Sequence, residues 1–125
     1  MELNQVFLMV SDYKTSYEFY AEKLDLPVKD KSDGHTEFDT GGCALVIEDE
    51  FDEETLSSFG LEPPGKSKGD GTIIVIEVED LTEVYERVVS HGVSPLIEPR
   101  EVPWGRKMFL VEDPDGYVLE ISRPI

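Results

Sequence analysis

The side chains able to do chemistry are few and scattered along the 125 residues. Glu120 is one carboxylate in the otherwise apolar run YVLEI (Tyr117–Ile121). There it can ligate a metal, act as a general base, or simply border a pocket. His35, in DGHTEFD, is a second candidate base, and its sequence leaves open whether it points to a cavity or to solvent. His91 precedes Gly92 at the end of a helical stretch, where an imidazole satisfies terminal carbonyls. Cys43 follows two glycines at a strand start and reads as a small core residue; as the only cysteine it can form no intrachain disulfide. Trp104, in VPWGRK, can stack on a planar or cationic ligand or pack as a lid, and Arg106 and Lys107 beside it can meet an anionic group. No Ser-His-Asp order, phosphate-cradling glycine loop or zinc-type cysteine spacing is present.

The elements that must position these groups come in two similar sets. Residues 3–10 and 72–78 are short, β-branched apolar runs, each followed by an Asp suited to cap a helix. The spacing predicts helices over Tyr13–Leu24, with Tyr13, Tyr17, Tyr20, Ala21 and Leu24 on one stripe, and over Leu81–His91, with Leu81, Val84, Tyr85, Val88 and Val89. Short strands are then expected near Leu26–Asp30, His35–Asp39 and Cys43–Glu48, and again near Ser94–Glu98, Arg106–Glu112 and Tyr117–Arg123. DPDG (Asp113–Gly116) predicts a tight turn joining the last two strands: Asp bonds the backbone, Pro sets φ and Gly takes the strained place.

Self-comparison turns these sets into a repeat. A shift of 68 positions lays Val10 on Val78, Asp12 on Asp80, Tyr17 on Tyr85 and Pro27 on Pro95; a shift of 74 lays Gly42 on Gly116, Leu45 on Leu119 and Ile47 on Ile121. The order β-α-β-β-β therefore occurs twice, and the second copy has a loop about six residues longer between its helix and its last strand. Module one spans about 1–50 and module two about 72–125. The stretch between them, about 49–71, opens with the acid-rich run EDEFDEE (Glu48–Glu54) and closes with LEPPGKSKGDG, and reads as a solvated linker.

Composition narrows the partners. The length suits a single domain with one core. Eleven basic against 28 acidic residues give a net charge of −17, which repels nucleic acid and anionic lipid and favours a cationic ligand. No apolar run reaches membrane-spanning length and the N-terminus lacks a signal-peptide plan, so a cytoplasmic protein with no membrane partner is expected.

Three segments, VFLMVSDYKTSYEFYAEKLDLPV, IEVEDLTEVYERVVSHGV and PWGRKMFLVEDPDGYVLEISRP, resemble the vicinal oxygen chelate superfamily of glyoxalases, bleomycin resistance proteins and extradiol dioxygenases. The resemblance covers nearly the whole chain apart from the acidic stretch. It implies an α+β fold in which two βαβββ modules form a half-open barrel around a cavity, helices outside, in a homodimer. In metal-dependent members the ligands come from the first and last strands of each module, which here means Gln5, Val46, Ile73 and Glu120. Only Gln5 and Glu120 of these offer an oxygen, whereas a divalent ion needs about three or four donors. Glu48 and Glu77 share the faces of Val46 and Ile73 but are displaced along their strands; even a two-residue step is about 6–7 Å.

If Glu120 faces the cavity, alternation sends Gln5, Phe7, Met9, Ala44, Val46, Glu48, Ile73, Val75, Glu77, Val118 and Ser122 there too, and Val6, Leu8, Val10, Ile74, Ile76, Val78, Leu119 and Ile121 to the helix side. An apolar lining with a few acids is the make-up of a small-molecule site. The leading expectation is a metal-independent, cofactor-free binder of an aromatic or cationic compound, with Gln5, Phe7, Met9, Val46, Glu48, Ile73, Val75, Trp104, Val118 and Glu120 at its site. The alternative is a glyoxalase I-type lyase, isomerase or dioxygenase that holds Ni, Zn, Mn or Fe through Gln5 and Glu120. A metal-free enzyme with Glu120 as catalytic base is a third.

Overall fold

The computed structural model describes residues 1–125, which divide into two compact units, Met1–Lys68 and Gly69–Ile125. In the first, β1 (Gln5–Val10), β2 (Val28–Ser32), β3 (His35–Phe38) and β4 (Ala44–Asp49) form a sheet in the order β1-β4-β3-β2. In the second, β5 (Ile73–Glu77), β6 (Ile97–Val102), β7 (Arg106–Glu112) and β8 (Val118–Pro124) repeat it as β5-β8-β7-β6. The first and last strands of each unit run parallel and the other neighbours antiparallel. A parallel pair needs a crossover helix, supplied by α1 (Tyr13–Tyr17) with its continuation and by α3 (Leu81–Ser90). The chain is thus α+β with two βαβββ modules.

Capping explains where the helices begin. Asp12 accepts from the Lys14 amide at 3.2 Å and the Thr15 hydroxyl at 3.0 Å, and Asp80 accepts from the Glu83 amide at 3.0 Å, filling donors that have no partner within the helix. His91 ends α3 as its sequence position suggests: Nδ1 donates to the Arg87 carbonyl at 2.8 Å, and Gly92 follows at φ 82°. The DPDG turn also forms, with Asp113 Oδ1 accepting from the amides of Asp115 (2.9 Å) and Tyr117 (2.8 Å).

Three expectations need correction. The helix predicted over Tyr13–Leu24 is α-helical only to Tyr17; Glu18–Lys23 continues as a π-helix, closed by the Leu24 amide donating to the Phe19 carbonyl five residues back at 3.0 Å. The wider turn rotates the inner stripe, so Ser16, Phe19, Tyr20 and Leu24 are buried while Tyr17 and Ala21 are only half-buried. The acidic stretch is not a plain solvated linker: Asp52 caps a short helix α2 (Glu53–Ser58), and Leu56 in it is buried. The strand expected at Ser94–Glu98 starts later, as β6. Pro95 has no amide to donate, the Leu96 amide makes the first bond to the Leu110 carbonyl at 2.8 Å, and the register shifts between Ile97 and Arg100 around Pro99.

Each sheet buries one face against its helix. Leu8, Val10, Phe38, Leu45 and Ile47 meet Phe19, Tyr20 and Leu24 in the first unit; Phe109, Val111, Leu119 and Ile121 meet Leu81 and Val88 in the second. Edge-on and tilted ring pairs, Tyr20–Phe38 at 5.9 Å and Tyr85–Phe109 at 5.2 Å, join helix to sheet in each copy. Strand alternation then turns the remaining side chains to the opposite face, and there the two units cease to be alike.

Candidate functional site

On the face of the first sheet turned away from α1, the register sets Met9, Glu48 and His35 in one row across β1, β4 and β3, and Phe7, Val46 and Glu37 in the next. His35 Nδ1 lies 3.0 Å from Glu48 Oε1, with the two side chains 31% and 28% exposed. The orientation of His35, open in the sequence, is therefore toward this face. Lys29 reaches Glu37 at 3.9 Å. Phe7 begins an aromatic run: its ring is 5.8 Å from Phe51, which is 6.0 Å from Phe59 at the end of α2. Gln5 stands beside Ala44 at the end of the face and is exposed; Val46 is buried.

On the matching face of the second sheet, Glu120 stands in a row with Val75, Leu110 and Ile97, so its lateral neighbours are all aliphatic. Ile73, Val118 and Glu112 form the row on one side, and Glu77, Ser122 and Met108 the row on the other. Glu77 and Ser122 are engaged by Arg106, whose guanidinium donates to Glu77 Oε1 at 2.8 Å and to Ser122 Oγ at 3.2 and 3.3 Å. Arg106 is thus already paired within its own unit, which departs from the expectation of a cation left for a ligand anion. Ile73 and Val75 are more than half exposed. Trp104 sits in the turn between β6 and β7 and is 66% exposed. Cys43 is half-buried, its Sγ lying 3.8 Å from Ala44 O.

The donor set does not fit a resident divalent ion. Val46 and Ile73 are aliphatic at two of the four family ligand positions, and the row neighbours of Glu120 add no oxygen or nitrogen. Within each unit no group of three or more His, Cys, Asp or Glu side chains converges, fewer than a protein-held ion requires.

Residues 2–121 match the Glyoxalase/Bleomycin resistance protein/Dioxygenase superfamily. The chain belongs to this superfamily. YraH of Bacillus subtilis (strain 168), an uncharacterized protein, is 27% identical over 129 residues, covering 98% of both chains. A solved structure described as a conserved domain protein is 30% identical with a TM-score of 0.78 and full coverage of both chains. The fold is shared with a glyoxalase-related enzyme from Fulvimarina pelagi, at TM-score 0.78 and 22% identity over 98% of this chain and 88% of that one.

Superfamily membership does not choose a chemistry. The positions proposed from the sequence fall into two groups, Gln5, Phe7, Met9, Val46 and Glu48 on the first face and Ile73, Val75, Val118 and Glu120 on the second, with Trp104 apart at its turn. The His35–Glu48 bond, the Phe51 and Phe59 rings and the Arg106 bridge are additions. The hairpin register pairing Phe38 with Leu45 carries His35 to Glu48, a signal present in the sequence once the turn at residues 39–43 is counted. Nothing local announced that the acidic stretch folds back to set Phe51 against Phe7.

Proposed function

We propose that this superfamily member binds a small molecule on the sheet faces turned away from its helices, without a resident metal ion. The observation that carries the reading is the isolation of Glu120: one carboxylate between Val75 and Leu110, with aliphatic Ile73 and Val46 where further ligands would stand. An apolar face with a few polar groups suits an organic ligand, and the surplus of acidic residues favours one that is aromatic or cationic. A cytoplasmic homodimer is part of the proposal, and the dimer is checked by sedimentation. No helix is long and apolar enough to cross a membrane.

Two measurements test this reading. Titration with a broad panel of aromatic and cationic compounds, read through the fluorescence of Trp104, is expected to give saturable responses; silence across the panel sinks it. Elemental analysis of protein prepared without chelator is expected to find no stoichiometric metal, and added nickel, zinc, manganese or iron is expected to leave the unfolding temperature unchanged, because a ligand bound only by the folded state must raise it. A tightly held ion would restore the rival lyase, isomerase or dioxygenase reading, which needs at least one more donor beside Gln5 and Glu120.

A further inference from the structure

We infer that the β3–β4 face of the first unit is a recognition site for an aromatic ligand bearing a hydrogen-bond donor, a hydroxyl or amino group, received by Nε2 of His35. The inference rests on the small-molecule reading above and adds to it a place, a ligand chemistry and a proton dependence.

An ionised carboxylate only accepts hydrogen bonds. With Glu48 Oε1 at 3.0 Å from His35 Nδ1, the neutral ring carries its proton on Nδ1 and keeps a lone pair on Nε2. The ring is anchored by this bond yet still 31% exposed, so a ligand can reach it. The lysines around the face are engaged elsewhere: Lys29 with Glu37, Lys68 with Glu50, and Lys31 over the Tyr17 ring at 3.9 Å. The pair therefore presents acceptors, and a ligand must answer with a donor.

The aromatic run supplies the rest of the recognition. Phe7 is two strands and one row away from His35, about 12 Å between Cα positions by ordinary sheet spacing, which suits a fused bicyclic ring with one substituent. Phe7 is 39% exposed and backed by Phe51 at 5.8 Å, so an apolar ring can lie against it while its donor meets the imidazole. Acidification adds a second proton at Nε2 and converts the acceptor into a donor. The charged groups on the same face are Asp30, Glu37 and Glu48, with Lys29 held against Glu37 and Glu50 beyond the strand end; the carboxylates are acceptors like Nε2 and offer a ligand no donor.

The test uses the full chain, calorimetric titration with 2-naphthol and 2-methoxynaphthalene, and NMR to follow His35 through its own protonation. The naphthol is expected to bind about tenfold more tightly than its methyl ether, the worth of one hydrogen bond. That preference is expected to vanish below the measured midpoint of His35 and in His35→Ala, while Phe51→Ala weakens both probes alike. Glu48→Lys guards against a misfolded His35 variant: an ammonium only donates, so Nδ1 must accept and the ring proton moves to Nε2, and the preference for the naphthol is again lost. Equal binding of the two probes, or a preference that survives acid or either variant, overturns the site while leaving the wider small-molecule reading intact. Absence of binding by both probes also overturns it, and the Trp104 panel then decides the wider reading separately.

Discussion

Glu120 is half-buried, and its row mates are Val75, Leu110 and Ile97, none of which can hydrogen-bond a carboxylate. Replacing it by Leu is expected to raise stability by about 1 kcal/mol in urea unfolding while weakening ligand binding; a loss of stability would mean that the carboxylate has a structural role. Gly69 is constrained in the opposite sense. It is buried, and a Cβ there would come to 2.7 Å from Tyr117 Cα and nearer still to the Gly116 carbonyl oxygen. Backbone cannot yield as a flexible side chain does, so Gly69→Ala is expected to cost more than about 2 kcal/mol. Equal denaturation midpoints for Gly69→Ala and the parent chain would refute that contact. The sequence identified Gly69 only as one glycine of a flexible-looking run, because its constraint comes from a turn 47 positions away (116 − 69).

At the scale of elements, α2 is the feature that periodicity passed over. Six residues are too few to display an amphipathic pattern, and a helix this short is held by its cap and by tertiary contact rather than by propensity. Asp52 Oδ1 accepts from the Thr55 amide at 2.7 Å, and that backbone bond, followed by the Thr55 hydroxyl, holds the Asp52 carboxyl below its ordinary value. A depressed folded value means that the cap contributes fully above the unfolded-state value and is lost as pH falls through the lowered one. Amide exchange at Leu56–Phe59 is accordingly expected to accelerate in Asp52→Ala at neutral pH, and in the parent chain only under strong acid; unchanged protection in the variant would show that Leu56 burial alone holds α2. The π-helical turn after α1 and the late start of β6 escaped for related reasons. A repeat of 3.6 residues cannot register an inserted one, and the missing amide of Pro95 moves the first ladder bond to Leu96.

At the scale of the whole molecule, the charge of −17 governs how the folded chain responds to salt. Like charges repel over about 30 Å in 0.01 M salt and about 8 Å at physiological ionic strength, so the folded state should gain from screening. The unfolding temperature is expected to rise by a few degrees as sodium chloride is raised from about 10 to 150 mM. A fall would instead indicate that ion pairs such as Arg106–Glu77 at 2.8 Å outweigh the repulsion.

The twofold βαβββ plan was readable from the chain itself because helix caps, turn residues and strand alternation are local, and because the repeat states each of them twice. The same alternation assigned Glu120, Val75 and Phe7 to the face away from the helices. Pairing across strands was a different matter. That Arg106 is taken up by Glu77 and Ser122 and that the acidic stretch returns Phe51 to Phe7 depend on register and on chain reversal between distant segments. Such contacts are set by the packing of both partners at once, and no stretch of sequence contains both.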